Sequence, residues 1–185
     1  AEFSQSTQTD SFPIYLKQYI KNDVLEVMAN GSLNYTVKGI CMGMKVTWNY
    51  MPPVHGGDTF TSIKKGSKAT LKIVQNEKNG FVKELYIQKK PNIDSHTFET
   101  QLQKTIEQLQ ESYPFLSVKN KSNGIYLIDI PQEYRLGHEE HFSKVAKAFL
   151  HYIRNKNIPE WENENTLTKY YITTTAVEMA KKENK

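Results

Sequence analysis

The 185-residue chain is poor in several things, and each shortage excludes a class of protein. A single cysteine, Cys41, permits no intrachain disulfide and no cysteine-based zinc site. No stretch approaches the roughly 18 consecutive apolar residues of a membrane span. The opening AEFSQSTQTD has neither the basic start nor the apolar run of an export signal, so a soluble segment with no membrane span is expected. Arginine is limited to Arg135 and Arg154, and the net charge of +4 comes from lysines scattered along the chain. Nucleic-acid binders concentrate basic charge and use arginine for bidentate readout, so no nucleic-acid partner is expected. The nine glycines never adopt the dinucleotide-binding or Walker spacing that lets a backbone approach phosphates. No cofactor is therefore expected to bind this chain in those ways. There is no Gly-x-Ser-x-Gly elbow, and Cys41 falls inside an expected strand with no cue to a partnering base.

What is present is enough to build a core. Leu, Ile, Val and Phe make up about 24% of the chain, above the level of disordered sequences. Residues 1–11 are polar and rich in Ser, Thr and Gln, which reads as a flexible tail or severed linker, and residues 12–185 read as one domain. Pro13 opens a short expected helix to about Lys21. From Leu33, apolar residues alternate (Leu33, Tyr35, Val37), and at Gly39 the parity flips to Ile40, Met42, Met44, Val46, Trp48 and Tyr50. One bent strand with a bulge near Gly39 would keep both sets on one side. Turn signals at Lys65-Gly66 and Asn79-Gly80 separate strands near 60–64, 68–75 and 81–89, an antiparallel meander.

Ser95 reads as the cap of a helix to about Ser112, with Phe98, Leu102, Ile106 and Leu109 at helical spacing. Strands near 116–119 and 125–130 flank Ser122-Asn123-Gly124. The last third is helical, with Phe142, Val145, Ala146, Phe149 and Ile153 as one stripe, Pro159 as a break and a second helix over about 164–182. The expected fold class is α+β: a largely antiparallel open sheet with helices covering one face, the other face left for solvent, a second domain or another subunit.

Two segments carry candidate chemistry. Trp48, His55 and Asp58 fall in or beside a loop rich in Pro and Gly, a composition suited to sugars because aromatic faces stack on rings while imidazole and carboxylate bond hydroxyls. An ordinary strand end followed by a loop fits the same residues. His138 and His141 stand three apart at a helix start, placed to share a metal or a polar substrate. A solvated, acid-stabilised first turn fits them too, the spacing is not that of the zincins, and no metal is assigned.

The segments WNYMPP (48–53), GGDTFTSIKKGSKATLKI (56–73), ELYI (84–87) and above all GHEEHFSKVAKAFLHYIRNKNIPEWENENTLTKYYITTTAVEMA (137–180) resemble the C-terminal domain of oxidoreductases of the glucose-fructose oxidoreductase and inositol dehydrogenase family, in its Bacteroides-type branch. The resemblance covers nearly everything after Phe12. It implies an N-terminal Rossmann domain that binds NAD or NADP, absent here, and a C-terminal domain that contributes to a sugar pocket and assembles homo-oligomers through its open sheet. It also implies that the catalytic lysine belongs to a Glu-Lys-Pro motif of the missing domain, which Lys89-Lys90-Pro91 does not supply. Trp48, His55, Asp58, His138 and His141 are then the candidates for contact with a sugar-like molecule, and no catalytic residue is assigned. The alternative is a non-catalytic carbohydrate-binding or protein-interaction module.

Overall fold

Alternating apolar residues next to turn signals form strands, and helical spacing next to caps forms helices. A computed structural model of the chain describes residues 2–25, 30–48 and 57–183. In chain order the elements are α1 (Glu2–Thr7), a 3-10 turn (Ile14–Tyr19), the two-residue strands β1 (Ile20–Lys21) and β2 (Val24–Leu25), β3 (Gly31–Val37), β4 (Ile40–Val46), β5 (Phe60–Lys65), β6 (Ala69–Gln75), β7 (Glu84–Lys89), α2 (Ser95–Gln110), β8 (Ser117–Asn120), β9 (Ile125–Asp129), α3 (His138–Asn155) and α4 (Glu160–Glu183). The chain divides into two compact units, one of Ala1–Met51 with Ala148–Lys185 and one of Pro52–Lys147. Among the described residues no helix is long and apolar enough to cross a membrane.

The second unit is built on a five-stranded antiparallel sheet in the order β5-β6-β7-β9-β8. The fold class is the expected α+β. Because partners across an antiparallel pair share a face, Leu71, Ile87 and Tyr126 form one row and Ile73, Leu85 and Ile128 the next. Helix α2 covers this face. The Phe98 ring lies 5.7 Å from that of Tyr126, and Ile106, on the same helical stripe as Phe98, is buried. The opposite face carries the row Ile63, Lys72, Tyr86, Leu127 and Lys119, with an ion pair of 2.7 Å between Lys119 and Asp129.

The boundaries of this unit follow local chemistry. The cap of α2 is Asp94, one residue before the expected Ser95: its carboxylate accepts the Thr97 N–H at 2.8 Å. The Asn79-Gly80 signal marks a longer loop than expected, so β7 starts at Glu84. Asn76 caps a short 3-10 turn, and Gly80 and Phe81 both take positive φ, which delays re-entry into the sheet.

In the first unit, β3 and β4 form a separate two-stranded ribbon. This corrects the expectation of one bent strand. Lys38 (φ 48°) and Gly39 (φ 77°) make a two-residue turn with both φ positive, the geometry that suits the natural twist of a hairpin. A two-residue turn pairs residues of opposite parity, Val37 with Ile40, Tyr35 with Met42 and Leu33 with Met44. The flip at Gly39 is therefore the mark of a hairpin, and both apolar sets do share one face. The helix expected from Pro13 is instead a 3-10 turn that leads into β1, with Pro13 as its N-cap. The opening segment carries α1, and the Phe3 ring lies 4.6 Å from that of Phe12. Helix α4 starts at Glu160, directly after Pro159.

Candidate functional site

The residues singled out by the sequence divide between the two units. Trp48 belongs to the first unit, two residues beyond β4, where its backbone N–H donates to the Asn30 side-chain carbonyl and extends the ribbon at its base. Its side chain is exposed. His55 lies outside the described residues. Asp58 is exposed just before β5 in the second unit.

His138 and His141 occupy the first turn of α3, also in the second unit. Gly137 starts this helix: its carbonyl accepts the His141 N–H at 3.1 Å, and its own N–H donates to the Glu140 carboxylate at 3.0 Å. The Glu140 carboxylate thus satisfies the Gly137 N–H, and with Glu139 it puts acidic charge where the helix dipole favours it. The His138 ring packs 4.8 Å from the Phe142 ring one turn on. The two imidazoles are thus held at i and i+3 on an exposed first turn, able to donate and accept hydrogen bonds. Among the described residues neither His is hydrogen-bonded or paired to Asp58, and no three His, Cys, Asp or Glu side chains converge as a metal site requires.

A second polar site in the sheet unit was not foreseen from the sequence. A cleft of about 500 Å³ is lined by Lys89, Ser95, Glu99, Asn120, Asn123 and Tyr126, among others. The Glu99 carboxylate accepts from the Tyr126 hydroxyl at 2.8 Å and from the Asn120 side-chain amide at 3.3 Å. Burial, and then the hydrogen bond to Glu99, push the Tyr126 phenol up to about 12, so it acts as a neutral donor and not as a base. Lys89 donates its ammonium to the Ile93 and Lys90 carbonyls, closing the loop between β7 and α2. Gly124, at φ 72°, lies against Lys89, where a Cβ would come within 3.4 Å of the lysine side chain. The cleft offers hydroxyl, amide and carboxylate groups, a set suited to a hydroxyl-rich ligand. No motif marked it, because Glu99 is one of several polar residues on α2 and meets Tyr126 and Asn120 only through the packing of helix on sheet.

A family model described as "Putative oxidoreductase C terminal domain" matches residues 1–181. A crystal structure of a putative oxidoreductase from Parabacteroides merdae ATCC 43184, at 2.23 Å resolution, matches 98% of this chain at 40% sequence identity with a TM-score of 0.92. The chain spans 42% of the length of that protein. No curated protein matches.

Proposed function

The chain belongs to the putative oxidoreductase C-terminal domain family, and from that premise we propose that it is the substrate-binding and oligomerisation part of an NAD(P)-dependent enzyme acting on a sugar or related polyol. The observation that carries the reading is coverage: almost the whole chain accounts for less than half of a relative 40% identical to it. A larger partner domain therefore precedes it in the intact protein, and that domain is the place for NAD or NADP. This chain lacks the glycine spacing that would cradle a dinucleotide.

The cofactor would take hydride from a carbinol carbon, while the hydroxyl proton leaves to a base of the N-terminal domain. The residues here bind and orient. In the second unit His138 and His141 bond substrate hydroxyls from the capped first turn of α3 and Asp58 does so from just before β5, while Trp48, in the first unit, is by itself a stacking face. Copies of the protein associate through the sheet face of Ile63, Lys72 and Tyr86, where the tyrosine and isoleucine supply the aromatic and apolar contacts of an interface.

The test is turnover of the full-length protein with a panel of sugars and polyols, followed by reduced nicotinamide absorbance. Full-length protein should reduce NAD or NADP, the 185-residue chain alone should not, and His141→Ala should lower kcat/KM about tenfold, the scale of one lost hydrogen bond. Sugar binding by the 185-residue chain, with no nucleotide binding by the full-length protein, would replace this reading with a carbohydrate-binding module.

A further inference from the structure

The ribbon has one polar face and one apolar face. Ser32, Asn34, Thr36, Cys41 and Lys45 point one way. On the other side Ile40, Met42, Met44 and Val46 are 65%, 43%, 39% and 52% exposed, and Leu33, Tyr35 and Val37 oppose them across the ladder. By strand parity this face continues to Trp48 at the base. A two-stranded ribbon is marginal in water without something to pack on, and an apolar face this continuous marks an interface.

We infer that the apolar face of the β3–β4 ribbon, from Ile40 to Trp48, is the seat of the N-terminal portion of the same polypeptide. Two observations select this occupant. More than half of the relative's chain lies outside the match, and the matched family is by description a C-terminal domain, so the missing mass precedes this chain. The face is centred on Met42 and Met44, flexible side chains that adapt to a partner surface of different shape. Docking there would also bring Trp48 to the boundary between the two domains. The inference rests on the reading of the chain as one part of a two-part enzyme.

The experiment uses the full-length protein with Met42 replaced by a benzophenone-bearing photo-crosslinking residue. A second version carries the same probe at Cys41, on the opposite face. Illumination should link the Met42 probe to a peptide that precedes Ala1, with the product running at monomer mass on a denaturing gel and at least tenfold more abundant than from the Cys41 probe. A covalent dimer would assign the face to a second copy and overturn the inference. So would a link to a peptide within residues 1–185, or no link at all. Turnover of the unsubstituted protein is measured alongside. Turnover without the crosslink removes the ribbon seat alone, and the crosslink without turnover removes the enzymatic reading alone.

Discussion

In β9 of the sheet unit, Tyr126, Leu127 and Ile128 are 4%, 7% and 6% exposed, while Ile40 at the tip of β4, in an equally apolar strand, is 65% exposed. The helices differ in the same way: α2 buries Ile106, whereas α4 has no buried residue. Both units have the right pattern of apolar positions. They differ in how far those positions are covered among the described residues. Strand β9 is flanked on both sides by β7 and β8, and α2 covers the face of Tyr126 and Ile128, so these side chains leave water on folding and stabilise the unit. Among the described residues the apolar face of the ribbon has no comparable cover, and Ile40, Met42, Met44 and Val46 stay exposed.

The sharpest way to break this comparison is to remove the same methylene groups from both places. Ile106→Ala should cost about 2–5 kcal/mol in denaturant unfolding of the 185-residue chain, because it leaves a cavity between α2 and the sheet. Ile40→Ala in the same chain should stay within about 0.5 kcal/mol. Comparable losses at the two sites would mean that the ribbon is covered from within. In the full-length protein, Ile40→Ala should become measurably destabilising.

A smaller effect is expected where the edges of the sheet unit are tied. Arg135 donates from Nε to the Ile130 carbonyl at 3.0 Å and from Nη1 to the Lys83 carbonyl at 2.8 Å, joining the end of β9 to the start of β7. Arg135→Ala should cost about 1–2 kcal/mol, the scale of charged hydrogen bonds at a part-exposed site. Arg135→Lys should not restore it, because a single ammonium lacks the planar fork that reaches two carbonyls in different directions. Full rescue by Lys would reduce the role of Arg135 to its charge.

Next comes a pH effect confined to the sheet. The hydrogen bond to Glu84 (2.6 Å), with burial and the nearby carboxylate charge, pushes the Tyr86 phenol up to about 12. Tyr126 rises as far, chiefly through burial. A phenol whose folded value lies above its unfolded value of 10.0 stabilises fully below that value, and the contribution is lost as pH rises toward 12. Unfolding midpoints should therefore fall between about pH 10 and 12. Each Tyr→Phe substitution, at 86 or 126, should remove part of that slope, and an unchanged slope in the double variant would place the titration elsewhere.

Legibility in the sequence followed the same divide. Strands β5, β6, β8 and β9 and helix α2 lie within a few residues of their expected positions, because periodicity and turn residues act locally. The sheet order was not legible in detail, since the insertion of β9 between β7 and β8 depends on contacts across α2. At Gly39 the parity flip was visible, but a bulge and a two-residue turn produce the same flip. Only the positive φ of both Lys38 and Gly39 tells them apart. At the candidate site, the i, i+3 spacing of His138 and His141 was readable because a helix imposes it. The link from Glu99 to Tyr126 was not, because it spans 27 positions and exists only after helix meets sheet.

The smallest expected effect tests whether α2 is held by its own start or by its burial. Asp94 is exposed, and its carboxyl is held below the ordinary 3.8, first by the Thr97 backbone N–H and then by the Thr97 side chain, with smaller help from His96 and Lys89. A depressed carboxyl stabilises above its unfolded value, and its contribution fades as pH falls through the folded value. Amide exchange at Thr97 should therefore quicken at acid pH in the native chain and be fast at every pH in Asp94→Ala. Asp94→Asn should keep the protection and lose the pH dependence, since an amide oxygen caps a helix as well as a carboxylate does. Ile106, three turns further along, should keep its slow exchange in both variants, because packing on the sheet and not the cap holds that part of the helix. Quickened exchange at Ile106 in Asp94→Ala would show that α2 frays as one piece, and that the sheet unit depends on its helix start more than on its buried face.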